Sequence, residues 1–116
     1  MKKSLIATAL IAAGAVCVHG AQAQTYPDRP IRLVIPFPPG GGSDITGRTI
    51  AQKLSEVLGQ QVVADNRGGA GGNIGTDIVA KAAPDGYTLV MALSGPFSIN
   101  GSLLGKLPFD PLKDFA

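Results

Sequence analysis

The sequence predicts an α/β fold built on an open parallel sheet of the βαβαβ type, and three observations lead there. Apolar runs at Ile31–Ile35, Gln61–Asp65 and Tyr87–Leu93 are separated by two segments whose apolar residues recur at helical spacing. The strand-to-helix connections are rich in glycine, proline and serine, whereas the helix-to-strand connections are short turns. Parallel strands joined through helices cross over right-handedly, so all three glycine-rich loops are expected on one edge of the sheet.

Ile31–Ile35 is the first strand, apolar apart from Arg32, and Pro36 ends it. The next segment, 43–58, places Ile50, Leu54, Val57 and Leu58 at i, i+4, i+7 and i+8, which predicts one buried stripe on a helix. Ser43 is expected to cap that helix, Gly47 to let it pack closely, and Gly59 to end it in left-handed conformation. After the second strand, Ile74, Ile78, Val79 and Ala82 are expected on the inner face of the second helix, with Asp77 and Lys81 paired on its outer face. Ala83-Pro84-Asp85-Gly86 turns into the third run, which is long and apolar enough to predict a central strand. Beyond Ile99 the pattern weakens to a single helical turn near 102–105.

The first 23 residues read as processing information. Lys2 and Lys3 start the chain, Leu5–Val18 is apolar, and Ala21-Gln22-Ala23 offers small residues for cleavage before Gln24, the anatomy of a secretory signal peptide. The apolar run is short of the roughly 20 residues that a membrane span needs, so no direct membrane insertion is expected after cleavage. Val16 stands where a lipoprotein signal has a small residue, which argues against lipid attachment at Cys17. From Gln24 onward, four lysines and four arginines balance seven aspartates and Glu56. A neutral chain gives no electrostatic reason to expect a nucleic-acid partner. Cys17 and His19, the only residues of their types, leave with the signal, so no metal site, cofactor or thiol chemistry is expected.

Ligands in open α/β sheets bind beyond the carboxyl ends of the strands, where the three loops gather. Here they are 36–44, 66–73 and 94–98, lined by backbone amides and small hydroxyls that suit an anion. The chain lacks Gly-Lys-Ser and Gly-Lys-Thr, and neither Gly40-x-Gly42 nor Gly69-x-Gly71 completes a dinucleotide fingerprint. No G-x-S-x-G motif or exported histidine supports Ser43 or Ser94 as a nucleophile, so an enzyme is not expected. Taken singly, Ser43 and Asn73 read as caps, Asp44 as a first-turn carboxylate, and Arg67 as a solvated loop charge; the grouping of the loops carries the binding reading.

Tyr-Pro-Asp-Arg-Pro-Ile-Arg-Leu-Val-Ile-Pro-Phe-Pro-Pro-Gly-Gly-Gly-Ser-Asp (26–44), Gly71-Gly72-Asn73-Ile74-Gly75, Ala82-Ala83-Pro84-Asp85-Gly86-Tyr87-Thr88-Leu89 and the closing 107–116 resemble the periplasmic solute-binding proteins of tripartite tricarboxylate transporters. The resemblance implies a two-lobed, Venus-flytrap binding protein that closes on a small carboxylate (a di- or tricarboxylate, an amino acid or an aromatic acid) and delivers it to membrane permease subunits. Residues 24–116 then correspond to the first lobe, incomplete and without the second. By position, the resemblance implies ligand contacts at Phe37, Pro39, Gly40, Gly41, Gly42, Ser43, Asp44, Gly71, Gly72, Asn73, Ile74, Ser94 and Gly95. It further implies that amides near 41–43 and 72–73 donate to the anion, that the Ser43 hydroxyl adds a bond, and that Phe37 packs on the ligand's carbon skeleton. A lobe that signals to a membrane sensor, or an enzyme on this scaffold, are the alternatives.

Overall fold

The computed structural model describes residues 25–115; the expected signal peptide, 1–23, lies outside the described residues. Three parallel strands, β1 (Ile31–Ile35), β2 (Val62–Asn66) and β3 (Thr88–Val90), form a sheet of order β2-β1-β3. Ile31 pairs with Val62 and Ile35 with Asn66, while Leu33 faces Leu89 on the other side. The central strand is therefore β1, not the longer apolar run. Ladder bonds do reach from Tyr87 to Met91, since Arg32 N–H donates to Tyr87 O at 2.8 Å and Met91 N–H to Val34 O at 2.9 Å. That run is apolar because it lines a groove of about 700 Å³ with Leu54, Val79, Phe97 and Phe115, not because it has strands on both sides.

Helix α1 (Gly42–Leu58) packs on β1 and β2, and α2 (Asn73–Ala80) on β1 and β3. The predicted inward faces hold in part: Leu54 and Leu58 of α1 pack on the core as expected and Ile78, Val79 and Ala82 of α2 are half-buried, but Ile50, Val57 and Ile74 turn outward. In α1 the inward line is Gly47, Ala51, Leu54 and Leu58, while Val57 is 81% exposed and Ile50 lies at the groove margin. The cause is close approach. A Cβ built at Gly47 would stand 2.6 Å from Ile35 Cδ1, so the helix lies against the sheet through its smallest residues. In α2 the buried residues are Asn73, Gly75 and Thr76, and Ile74 is 51% exposed with its side chain folded over Gly69. The expected pair on the outer face forms, Lys81 Nζ meeting Asp77 Oδ2 at 2.7 Å.

The core centres on Ile31, Leu33, Ala51 and Val62, with Leu54, Leu58, Ala64, Tyr87 and Leu89 packed around them. Val34 points to the opposite face and is also fully buried, as expected of a strand covered on both sides. Gly59 ends α1 at φ 67°, its N–H bonding Ser55 O. The Ser55 hydroxyl donates to Ala51 O at 2.7 Å and accepts from Val62 N–H at 2.8 Å, tying the helix end to the start of β2.

Far from the loop edge, the lead-in segment is pinned to the 83–87 turn. Tyr26 Oη donates to Gly86 O at 2.8 Å, Tyr87 Oη donates to Asp28 Oδ1 at 2.6 Å, and Arg29 pairs with Asp85 while lying 4.2 Å from the Tyr87 ring centre. The Asp28 carboxylate, followed by burial, raises the Tyr87 phenol above its ordinary pKa.

Past β3 the chain becomes helical earlier than its breakers suggest. A π-helical turn (Gly95–Ile99) runs into α3 (Asn100–Leu104), so the expected third loop is itself a helix start. Phe109 and Phe115 fold back on Phe97, with ring centres 6.5 and 5.0 Å from it.

Candidate ligand-binding site

Parallel pairing places the carboxyl ends of β1, β2 and β3 on one edge, and side chains there lock the three loops together. The meeting point is Gly72, held at φ 93°. A Cβ on it would lie 2.9 Å from Pro96 Cγ, 3.2 Å from Phe37 Cε2 and 3.4 Å from Pro36 O, one neighbour from each of the other loops and a second from the first. Gly75 lies equally close, with Arg67 O at 2.5 Å and Pro36 Cα at 2.9 Å from the position of its absent Cβ. Only bare backbone fits at these two places.

The first loop is braced from within. Asp44 is 6% exposed; its Oδ2 accepts from Gly40 N–H at 2.9 Å, and its Oδ1 accepts from Arg48 Nε at 2.8 Å and Asn66 Nδ2 at 3.0 Å. Asn66 also donates to Phe37 O at 3.1 Å, and its Oδ1 accepts from Arg48 at 2.8 Å. The Gly40 N–H, then Asn66 and the Arg48 guanidinium, hold the Asp44 carboxyl below its ordinary pKa against the opposing effect of burial. Asp44 thus fastens the loop through a ring of partners, and both its oxygens are taken by neighbouring groups.

Two cap assignments change. Helix α1 starts at Gly42 with Gly41 as its cap, so Ser43 is the second helical residue and makes no capping bond; α2 is capped by Gly72, and Asn73 is its first residue. In α1 the capping work passes to Asp44, whose carboxylate reaches back to the Gly40 amide.

The amides divide the same way. Gly72 N–H donates to Gly69 O at 2.9 Å and Asn73 N–H to Ala70 O, so neither is left to bind an anion, contrary to the role expected for them. Among the described residues, the N–H groups of Gly41, Gly42 and Ser43, ahead of the first intrahelical bonds, have no protein acceptor, and the same holds for Gly71. Pro39, Gly40, Gly41 and Gly42 are exposed, as are Gly71, Ile74 and Ser94; Phe37, Ser43 and Gly95 are half-buried. Ala70, at φ 49°, is a non-glycine residue in left-handed conformation at the tip of the second loop, a form of strain that gathers at ligand clamps.

Sequence reasoning missed two residues that organise this edge. Asn66 closes the ring around Asp44, and Asn100, 8% exposed, donates to Gly71 O at 3.2 Å and to Asn73 Oδ1 at 2.7 Å. Asn66 ends a strand and Asn100 sits among helix breakers, so neither shows a motif; the only signal is a lone amide beside a glycine-rich turn.

Asp65, at the end of β2, lies behind the loops with Arg32 at 2.6 Å and Arg67 at 3.1 Å. Burial works upward on its carboxyl, but the bonds from Arg32 and Arg67 outweigh it and the pKa falls. Arg67 is thereby engaged by a neighbouring carboxylate. The 700 Å³ groove along β3 is a separate, largely apolar feature with little to offer an anion. Among the described residues no group of three or more His, Cys, Asp and Glu side chains could hold a metal ion, and no helix is long and apolar enough to cross a membrane.

The chain is 49% identical over 110 residues to Protein BugT of Bordetella pertussis, covering 94% of this chain and 32% of BugT. It superposes on R. palustris Rpa4515 with adipate at a TM-score of 0.72 and 41% identity, covering 75% of this chain and 29% of that one. With MatC from Rhodopseudomonas palustris with bound malate the TM-score is 0.73 at 38% identity, over 77% and 30% of the respective chains. The chain thus spans about a third of the length of the proteins it resembles. The model of the tripartite tricarboxylate transporter family receptor matches residues 46–116, and with BugT this shows that the chain belongs to that receptor family.

Proposed function

We propose that residues 24–116 form the first lobe of a two-lobed periplasmic receptor that captures a small carboxylate and hands it to the membrane subunits of a tripartite transporter. One observation carries this reading most directly: the unpaired amides of Gly41, Gly42 and Ser43 open at the N-terminus of a 17-residue helix, on a loop braced by Asp44. Such amides, at the positive end of the helix dipole, favour a carboxylate without supplying a reactive group. Phe37 would pack on the ligand's carbon skeleton, the Ser43 hydroxyl and the Gly71 amide would add donors, and Ser94 and Gly95 would complete the near wall. Asp44 takes part by holding the loop. The family is one of receptors, and the malate and adipate found with two related structures set the substrate class to try first.

Native mass spectrometry of protein recovered from the periplasm, together with calorimetric titration with malate and adipate, tests the proposal. A mature species beginning at Gln24 that retains a small acid, or binds one saturably, is the expected outcome. Recovery in the cytoplasm with residues 1–23 intact, or no binding across a panel of mono-, di- and tricarboxylates, would sink it.

A further inference from the structure

We infer that Asn100 is a positioning residue for the carboxylate site, joining the second and third loops into one rigid wall; this rests on the carboxylate-binding reading above. The second loop is packed tightly at Gly72, but Gly71, beside it, has no such packing. Gly71 and Gly72 are consecutive glycines at φ 64° and 93°, with no side chain to wedge them in place, and Ala70 before them is strained. Internal bonds fix Gly72 and Asn73 through Gly69 O and Ala70 O, and the Thr76 hydroxyl donates to Gly72 O at 2.9 Å. Gly71, whose exposed N–H has no protein acceptor, is gripped from outside the loop by Asn100 Nδ2 on its carbonyl. The same nitrogen donates to Asn73 Oδ1, so one buried amide spans the start of α2 and the strained turn before it.

Asn100 belongs to the helical stretch that begins beside Ser94 and Gly95. Gly95 approaches the same carbonyl, a Cβ there standing 3.5 Å from Gly71 O. The amide therefore sets the distance between two walls of the site, with its donor spent on Gly71 O and Asn73 Oδ1. Ligand-binding amides bind best when preorganised, because ordering them at the moment of binding costs affinity.

Asn100→Asp keeps the shape of the side chain and removes both donated bonds. Asn73→Asp preserves the acceptor and adds a charge that the start of α2 favours. Amide hydrogen exchange over 70–74 and malate titration are read for both. Asn100→Asp should speed exchange at 70–74 and weaken malate binding, each by at least roughly tenfold, since two donated hydrogen bonds are lost and one alone is worth about that factor. Asn73→Asp, which keeps the acceptor for Asn100, should leave exchange at 70–74 within about twofold. Asn100→Ser, uncharged and too short to reach, should behave as Asn100→Asp does and serves if the aspartate variant fails to fold. Unchanged exchange at 70–74 in a folded Asn100 variant, or faster exchange spread evenly through β1 and α1, would overturn the inference. Should the wild-type protein bind no carboxylate, the proposed function fails while the exchange comparison still decides the role of Asn100.

Discussion

A Cβ added at Gly41 or Gly42 would meet nothing within 4 Å, whereas one added at Gly72 or Gly75 would press on atoms of the loops, Arg67 O, Pro36 and Pro96, at 2.5–2.9 Å. The two glycine clusters look alike along the chain. In the first loop Gly40 stands at φ 90° and so needs glycine, but Gly41 stands at φ −89°, open to any residue, and nothing among the described residues explains the missing side chains at Gly41 and Gly42. In the second loop the glycines are the packing solution, letting Pro36, Phe37, Pro96 and the Arg67 carbonyl converge. Glycine in one cluster answers a demand inside the fold, and in the other leaves room for something outside it. The binding reading draws its strength from the second kind.

The largest effect that separates the clusters is on stability. Gly75→Ala and Gly72→Ala should each cost about 1–3 kcal/mol, the range for forcing atoms into a filled space, because backbone and proline ring cannot move aside. Urea unfolding of each variant reads this directly. Midpoints equal to wild type would mean that the loops do not meet as described, and the contrast would collapse.

Gly47→Ala is an intermediate case, since the atoms it strikes are Ile35 Cδ1 and Cγ1, side-chain atoms, though fully buried ones. A cost of about 1 kcal/mol is expected. Trimming the neighbour by Ile35→Val removes Cδ1, so the double variant should be more stable than the two single losses predict when added. An additive pair would show that Gly47 is not confined by Ile35.

Much of this edge was legible in the chain, and what was not has a common cause. Parallel strands and short turns follow from local pattern, so the βαβαβ order, the gathering of the loops and the Asp77–Lys81 pair could be read directly. The inward faces of α1 and α2 were legible only in part, at Gly47, Leu54 and Leu58, because bulky residues mark a helical stripe while these helices also approach through Ala51 and Gly75. Ile50 and Val57 therefore drew the stripe around to the wrong side. The same limit hid Asn66 and Asn100, whose partners lie 22 and 27 residues away along the chain. Polar groups that bridge loops carry no period. Nor could the sequence show that the Gly72 and Asn73 amides are spent inside the turn while those of 41–43 stay open.

Acid should distinguish the two loops more gently, because the carboxylate of the first, Asp44, holds a loop amide at Gly40, whereas the one beside the second, Asp65, meets only the Arg67 side chain near its base. Asp44 has a folded pKa below its ordinary value of 3.8, so its contribution is complete above that value and is lost as pH falls toward the lower folded one. Stability measured by urea unfolding should therefore drop below about pH 4, and Asp44→Asn should reduce the slope there while lowering stability at neutral pH. Hydrogen exchange at residues 40–44 should rise with acid before exchange at 70–74 does. An Asp44→Asn variant with the wild-type acid slope would show that other carboxylates set it.

The smallest stability effect belongs to the variant that bears most on function. Gly42→Ala places a methyl group in open space at the first position of α1, where alanine is a better helix former, so stability should hold or rise by about 0.4–1 kcal/mol. The Cβ stands beside the unpaired amides of Gly42 and Ser43, where a carboxylate oxygen would have to approach within roughly 3 Å. Malate titration should accordingly weaken while the unfolding midpoint does not fall. That combination would show that glycine is kept here for approach from outside, the reverse of its role at Gly72. A variant that binds malate as wild type does would remove the ligand from this stretch and leave the first loop's bareness without a cause.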